Sequence, residues 1–180
     1  MSAGRVLIVT GPPGSGKTTV SALVADRFSR SVHLESDWFF RAIRSGHIEP
    51  WKAESHEQND TVMAAVHDAA AAFARAGYLT IVDGIILPGW YFEWLTGELL
   101  GEDMEVDAAI LRTSLRVSLA RVQGRNSPGL DTAAVERTWR GFADLGPLEH
   151  HVFDVDELAP WETAEAILER LESGALAVTG

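Results

Sequence analysis

An α/β fold on a mostly parallel five-stranded sheet is predicted by three observations. Short apolar runs alternate with helical patterns along the whole chain, a glycine-rich turn follows the first run, and the composition is that of an ordinary globular protein. The 180 residues suit a single domain over 1–180, without an obvious linker or internal repeat. A hydrophobic share of 46%, a charged share of 23% and a mean hydropathy of +0.01 exclude disordered, collagen-like and membrane-embedded classes.

Arg5 to Thr10 reads as the first buried strand. A helix follows from Thr18 to Ser29, with Val20, Leu23, Val24 and Phe28 turned to the core. Val32 to Glu35 is the second strand. From Ser55 the spacing of Val62, Val66, Ala69 and Phe73 predicts a helical stripe. Ser55 and Gln58 are spaced as a capping box, and Gly77 ends the helix. Tyr78 to Asp83 is strand three and Val106 to Arg112 strand four. The next helix carries Leu115, Leu119 and Val122 on one face and stops at Gly124. Asn126-Ser127-Pro128-Gly129 breaks the polar stretch 125–131, before a helical segment from Thr132 toward Leu145. His151 to Val155 is the last strand. Pro160 suits the first turn of a terminal helix whose Trp161, Ala164, Leu168 and Leu171 share a face, with Gly174 as its stop. His150 and His151 are neighbours on a predicted strand, hence on opposite faces, and are read as structural.

Charge and residue usage narrow the function classes. With 26 acidic against 15 basic residues the net charge is −11, which disfavours nonspecific binding to nucleic-acid polymers or anionic membranes. Without cysteine there is no disulfide framework, thiolate nucleophile or Cys-bound zinc. Val6-Leu7-Ile8-Val9 is too short for the apolar region of a signal peptide, and no run of ~20 apolar residues exists elsewhere, so a cytoplasmic protein is expected.

Gly11-Pro12-Pro13-Gly14-Ser15-Gly16-Lys17-Thr18 matches the pattern G-x-x-x-x-G-K-[ST] without departure. Phosphate oxygens need several donors converging from one side, and a glycine-rich turn lets backbone amides approach without side chains between. The helix that follows adds the positive end of its dipole. Lys17 is expected on the β and γ phosphates and the Thr18 hydroxyl on Mg²⁺, with Thr19 in the same nucleotide-binding turn. A nucleoside triphosphate is the expected ligand.

With that motif in place the chain resembles the small P-loop kinases, in particular the group of chloramphenicol phosphotransferase, zeta toxin, gluconate kinase and shikimate kinase. The resemblance covers nearly the whole length and implies a three-layer P-loop NTPase fold, ATP and Mg²⁺ as cofactors, and phosphoryl transfer to a hydroxyl. In that group the second strand ends in an acidic residue on the acceptor hydroxyl; Leu34-Glu35-Ser36-Asp37 stands there, and Asp37 is the expected catalytic carboxylate, or else a helix N-cap. Glu35 is expected to hold Mg²⁺ through water. Arg41, at i+4 from Asp37, either pairs with it or touches substrate. Ile81-Val82-Asp83 has the pattern of a Walker B carboxylate, so Asp83 serves metal or substrate, or forms a plain strand-end turn with Gly84.

The resemblance also implies a lid over about 114–131. Arg125 is its first candidate for the transferring phosphate, with Arg121 on the nucleotide and Arg137 on the substrate next, and Arg112 undecided. Trp38, Phe39, Phe40 and Trp51 follow the presumed catalytic strand, and Trp90, Tyr91, Phe92 and Trp94 follow Asp83; they wall the acceptor site or fill the core. As pocket walls they favour a flat or partly apolar small-molecule acceptor. Two alternatives remain: a nucleoside or nucleotide (cytidylate-like) kinase, gripping an acceptor phosphate with Arg41 and Arg44, and a zeta-type nucleotide-dependent kinase restrained by a protein partner of which the sequence carries no sign.

Overall fold

The computed structural model describes residues 4–124 and 131–179. Five strands, β1 (Arg5–Thr10), β2 (Ser31–Glu35), β3 (Leu79–Gly84), β4 (Glu105–Arg112) and β5 (Val152–Asp154), form one sheet in the order β2-β3-β1-β4-β5. Every pair of neighbours is parallel, as a chain of strand–helix–strand crossovers requires. The central position of β1 explains its unbroken apolar run: Val6, Leu7, Ile8 and Val9 are fully buried between two helical layers.

The helices are α1 (Lys17–Ala25), α2 (Ser36–Ala42), α3 (His56–Arg75), α4 (Phe92–Gly101), α5 (Leu115–Gln123), α6 (Thr132–Arg140) and α7 (Pro160–Glu172). Alternation along the strands divides the core. Val6, Ile8, Val82, Val106 and Ala108 pack under α3 and α4, while Leu7, Val9, Ile81, Ala109 and Leu111 pack under α1 and α7. This is the three-layer α/β arrangement expected from the sequence. Among the described residues no helix is long and apolar enough to cross a membrane.

Several expected details give way to tertiary contacts. The first helix stops at Ala25, short of Ser29, because Arg27 and Phe28 bond back by three residues and the Ser31 hydroxyl donates to Ala25 O at 2.8 Å; Phe28 is exposed. Phe73 is exposed and Ala69 only half-buried, since α3 turns its small Ala70, Ala71 and Ala74 to the sheet. The capping box does not form. Ser55 Oγ is spent on Pro50 O and Lys52 O, and Gln58 bonds both backbone groups of Ile48. Gly77 does end α3: at φ +82 it donates to Ala74 O while Tyr78 donates to Phe73 O, which takes Tyr78 out of the strand and starts β3 at Leu79.

On the carboxyl side, α6 ends at Arg140, short of Leu145, and Phe142 and Leu145 seal a small cluster with Ile110. His151 belongs to a 3₁₀ turn, Gly146–His151, ahead of a β5 that spans only Val152–Asp154. The paired histidines therefore do not alternate across a strand; their rings lie 3.9 Å apart, centroid to centroid. In α7 the buried face is Thr163, Ala164, Ile167, Leu168 and Leu171, and Trp161 stays 62% exposed.

Candidate active site

The turn from β1 into α1 crosses the carboxyl edge of the sheet. Gly14 and Gly16 adopt φ +77 and +93, conformations that favour glycine, and a Cβ on Gly14 would also lie 2.9 Å from Ser118 O. Beyond Gly16 nothing lies within 4 Å of a would-be Cβ. Lys17 Nζ donates to Gly11 O at 3.0 Å and Pro12 O at 3.1 Å, folding back over the turn. Helix α5 braces the turn from outside: Ser118 Oγ donates to Pro13 O at 2.6 Å and Arg121 Nη1 to Gly14 O at 3.2 Å. Ser15 is buried, and its Oγ has no hydrogen-bond partner among the described residues. A cradle of turned-in backbone with an orphaned hydroxyl and open space at Gly16 fits a phosphate group.

Beside the cradle, Asp83 is the penultimate residue of β3 and almost fully buried. Its Oδ1 accepts from the Thr18 hydroxyl at 3.5 Å and its Oδ2 lies 2.6 Å from His33 Nε2. Glu35 is the register partner of Asp83 on β2, so both acids stand at the carboxyl ends of adjacent strands. The strand-end turn does not occur, since Gly84 continues β3 in register with Thr10. One hydroxyl and one or two carboxylates beside a phosphate cradle are a hard-oxygen donor set of the kind that holds Mg²⁺ together with a nucleotide. Among the described residues no group of three or more His, Cys, Asp or Glu side chains gathers as a metal cluster.

Asp37 lies in the first turn of α2, whose N-cap is Glu35, and no side chain caps that end; the N-cap role expected as its alternative is not filled by Asp37. Helix α2 is pressed against β3 so closely that a Cβ on Gly84 would meet Ser36 Oγ at 2.1 Å. Arg41 faces Glu35, Nη2 to Oε2 at 3.9 Å, instead of Asp37.

A cavity of about 860 Å³ opens beside α2, and Asp37, Phe40, Arg41, Trp51, Trp90 and Arg137 are among its lining. Four expected substrate residues, Asp37, Arg41, Trp90 and Arg137, are thus brought together, whereas Asp83 sits with Thr18 and outside this lining. Arg137 also faces Asp131 at 3.7 Å, and Arg44 is exposed and outside the lining. The aromatic groups divide. Phe40, Trp51, Trp90 and Tyr91 line the cavity, Phe39 and Phe92 pack with the core, and Trp38 and Trp94 lie outside the lining. Tyr91 OH donates to Asp60 Oδ1 at 2.5 Å, and burial followed by this bond pushes its pKa above the usual phenol range.

Arg112 is structural: it pairs with Asp154 and Glu149, each at 2.9 Å. Arg125, the first lid candidate, lies outside the described residues, as do 126–130. Of the expected lid, α5 is seen bonded to the phosphate turn through Arg121 and Ser118. Sequence reasoning missed His33, whose only local signal is its place two residues before Glu35 on the same strand face. It also missed Asn59, buried in the cavity lining on α3 and attached to no motif.

The family model of an AAA domain matches residues 6–145. Among solved structures, the tunicamycin resistance protein of Deinococcus radiodurans superposes with a TM-score of 0.71 at 20% identity, covering 98% of this chain and 99% of that one. A sugar kinase from Janibacter sp. gives 0.68 at 22% identity, over 99% and 100% of the two chains. Shikimate kinase from Acinetobacter baumannii, in complex with shikimate, gives 0.66 at 23% identity over 96% and 95%. At such identities the likeness is one of fold. A comparison with curated proteins finds no match.

Proposed function

The chain belongs to the AAA domain family and has the fold of the small P-loop kinases, and from that premise we propose that it transfers the γ-phosphoryl group of ATP to a hydroxyl of a small-molecule acceptor. The observation that carries the reading is the juxtaposition at one sheet edge of a phosphate cradle, the Thr18–Asp83 pair, and a cavity that begins at Asp37.

In this reading the backbone of Gly11 to Gly16 binds the phosphates, and Lys17 swings from the turn carbonyls to the β and γ phosphates, where its charge stabilises the transferring group. Thr18 and Asp83, with Glu35 beside them, are the residues that would hold Mg²⁺; when bound, the ion neutralises charge across the β and γ phosphates. His33 holds Oδ2 of Asp83, which leaves Oδ1 turned to Thr18. Asp37 orients the acceptor hydroxyl and takes its proton as the acceptor oxygen bonds to phosphorus and the bond to the β-phosphate oxygen breaks. Arg41 and Arg137 border the acceptor, and Arg121 with Arg125 completes closure over the nucleotide.

A coupled ADP-release screen over alcohols, antibiotics, sugars, nucleosides and nucleoside monophosphates tests this directly. Acceptor-dependent ADP release is the expected result. ATP hydrolysis that no acceptor accelerates would overturn the reading in favour of a nucleotide-dependent switch.

A further inference from the structure

The cavity beside Asp37 is larger, and less polar in its depth, than a small sugar acid requires. Its volume of about 860 Å³ falls toward the upper end of the roughly 300–1,000 Å³ usual for sites that enclose drug-sized ligands. Of the charged and titratable lining residues, Asp37, Arg41, His47, Lys52, His56 and Arg137 are exposed, which places them at the mouth, and Glu49 is half-buried. The buried lining residues are Ser36, Ser55, Asn59, Met63, Tyr91 and Ala134, and none is charged at neutral pH. A carboxylate carried to that depth would meet no cation.

Of the buried polar side chains in the lining, Ser36, Ser55, Asn59 and Tyr91, the last three are held within the protein. Ser55 Oγ is committed to Pro50 O and Lys52 O, both at 2.8 Å, and Tyr91 OH to Asp60. Asn59 is 2% exposed; its Nδ2 donates to Pro50 O at 2.8 Å and Ser55 Oγ at 2.9 Å, which fixes the amide's orientation. Its Oδ1 has no partner among the described residues. That oxygen is closed to solvent and lies out of reach of a molecule in the cavity. Phe40, Trp51 and Trp90 add flat apolar surface to the wall.

We propose, resting on the phosphotransferase reading above, that the acceptor alcohol is carried on a planar, uncharged ring body of drug size that lies against Phe40, Trp51 and Trp90 while the hydroxyl end faces Asp37. The test uses the full chain and matched probes: thymidine against 2-deoxyribose, p-nitrophenyl β-glucoside against glucose, and gluconate as the small acid. Affinity is read by calorimetry and ADP release from MgATP in parallel. At least one ring-bearing probe is expected to bind about tenfold or more tighter than its ringless partner, a difference of ~1.4 kcal/mol, with gluconate weakest. Trp51→Ala and Trp90→Ala, at exposed positions whose truncation leaves the core intact, are expected to remove most of that preference.

Equal affinity within both pairs, tighter binding of gluconate, no binding of either ring-bearing probe, or a ring preference untouched in both tryptophan variants would each overturn the proposal. The two claims separate cleanly. ADP release driven by gluconate without ring preference sinks the ring-bodied acceptor and leaves phosphoryl transfer standing, while tight ring-selective binding without ADP release from any alcohol does the reverse.

Discussion

In the proposed mechanism Asp37 and Asp83 carry different work, and substitution should separate them. Asp37 is exposed at the cavity wall and caps nothing, so Asp37→Asn removes a proton acceptor without removing a structural bond. Turnover is expected to fall by roughly 10² to 10⁴ with stability and ATP affinity nearly unchanged; undiminished kcat at saturating acceptor would take Asp37 out of the mechanism. Asp83 is buried and held from both sides, and His33→Phe should leave its Oδ2 unsupported. The Mg²⁺ concentration needed for half-maximal ATP-induced thermal stabilisation should rise by roughly 10- to 100-fold, as when a partner of a metal-binding group is lost. His33→Gln, which keeps a donor, should recover part of the effect, and an unaltered Mg²⁺ dependence would reduce His33 to a packing role. The phosphate turn was legible because its residues are consecutive and each type has a local reason to be there. The His33–Asp83 contact was not, because it joins residues 50 apart and depends on which strands become neighbours.

Elements were legible where periodicity is strong and blurred where packing chooses among equivalent faces. In α3 the spacing locates the helix, yet the face toward the sheet carries Ala70 and Ala74 in place of Phe73, since close approach of helix and sheet favours small side chains over a bulky one that pairs edge-to-face with Tyr78. The expected capping box failed for a similar reason: Ser55 and Gln58 had nearer partners in the 48–52 segment, which the sequence does not place. The setting of α2 on β3 is the element contact on which the proposed role of Asp37 depends. Gly84→Ala would bring a methyl to 2.1 Å from Ser36 Oγ and push α2, with Asp37, off β3. A shift of about 1 Å can cost as much as 10²-fold in rate, so kcat should fall at least about tenfold while affinity for ATP without Mg²⁺, set by the turn after β1, holds. Wild-type kcat in a folded Gly84→Ala protein would show that this contact does not position Asp37.

At the scale of the whole molecule all five strands were legible from their apolar runs, but their order was not, because a run of Val and Ile does not say which neighbour it joins. The buried interior also sets a pH response. His151 is 2% exposed, and burial first, with His150 beside it, lowers its pKa to about 4. Between that value and the unfolded value near 6.5 the unfolded chain binds the additional proton, so stability is retained above pH 6.5 and declines as pH falls toward 4. Melting temperatures from pH 7.5 to 5 should drop less steeply for His151→Leu than for the native chain; parallel profiles would remove His151 from the acid response. The central claim is that the turn at residues 11–18 drives phosphoryl transfer. Its most direct test is acceptor-dependent ADP release from MgATP by the native chain beside Lys17→Ala, with melting curves of both. Loss of turnover by at least about 10²-fold in a variant that melts with the native protein is the expected result. Turnover preserved in Lys17→Ala would contradict it.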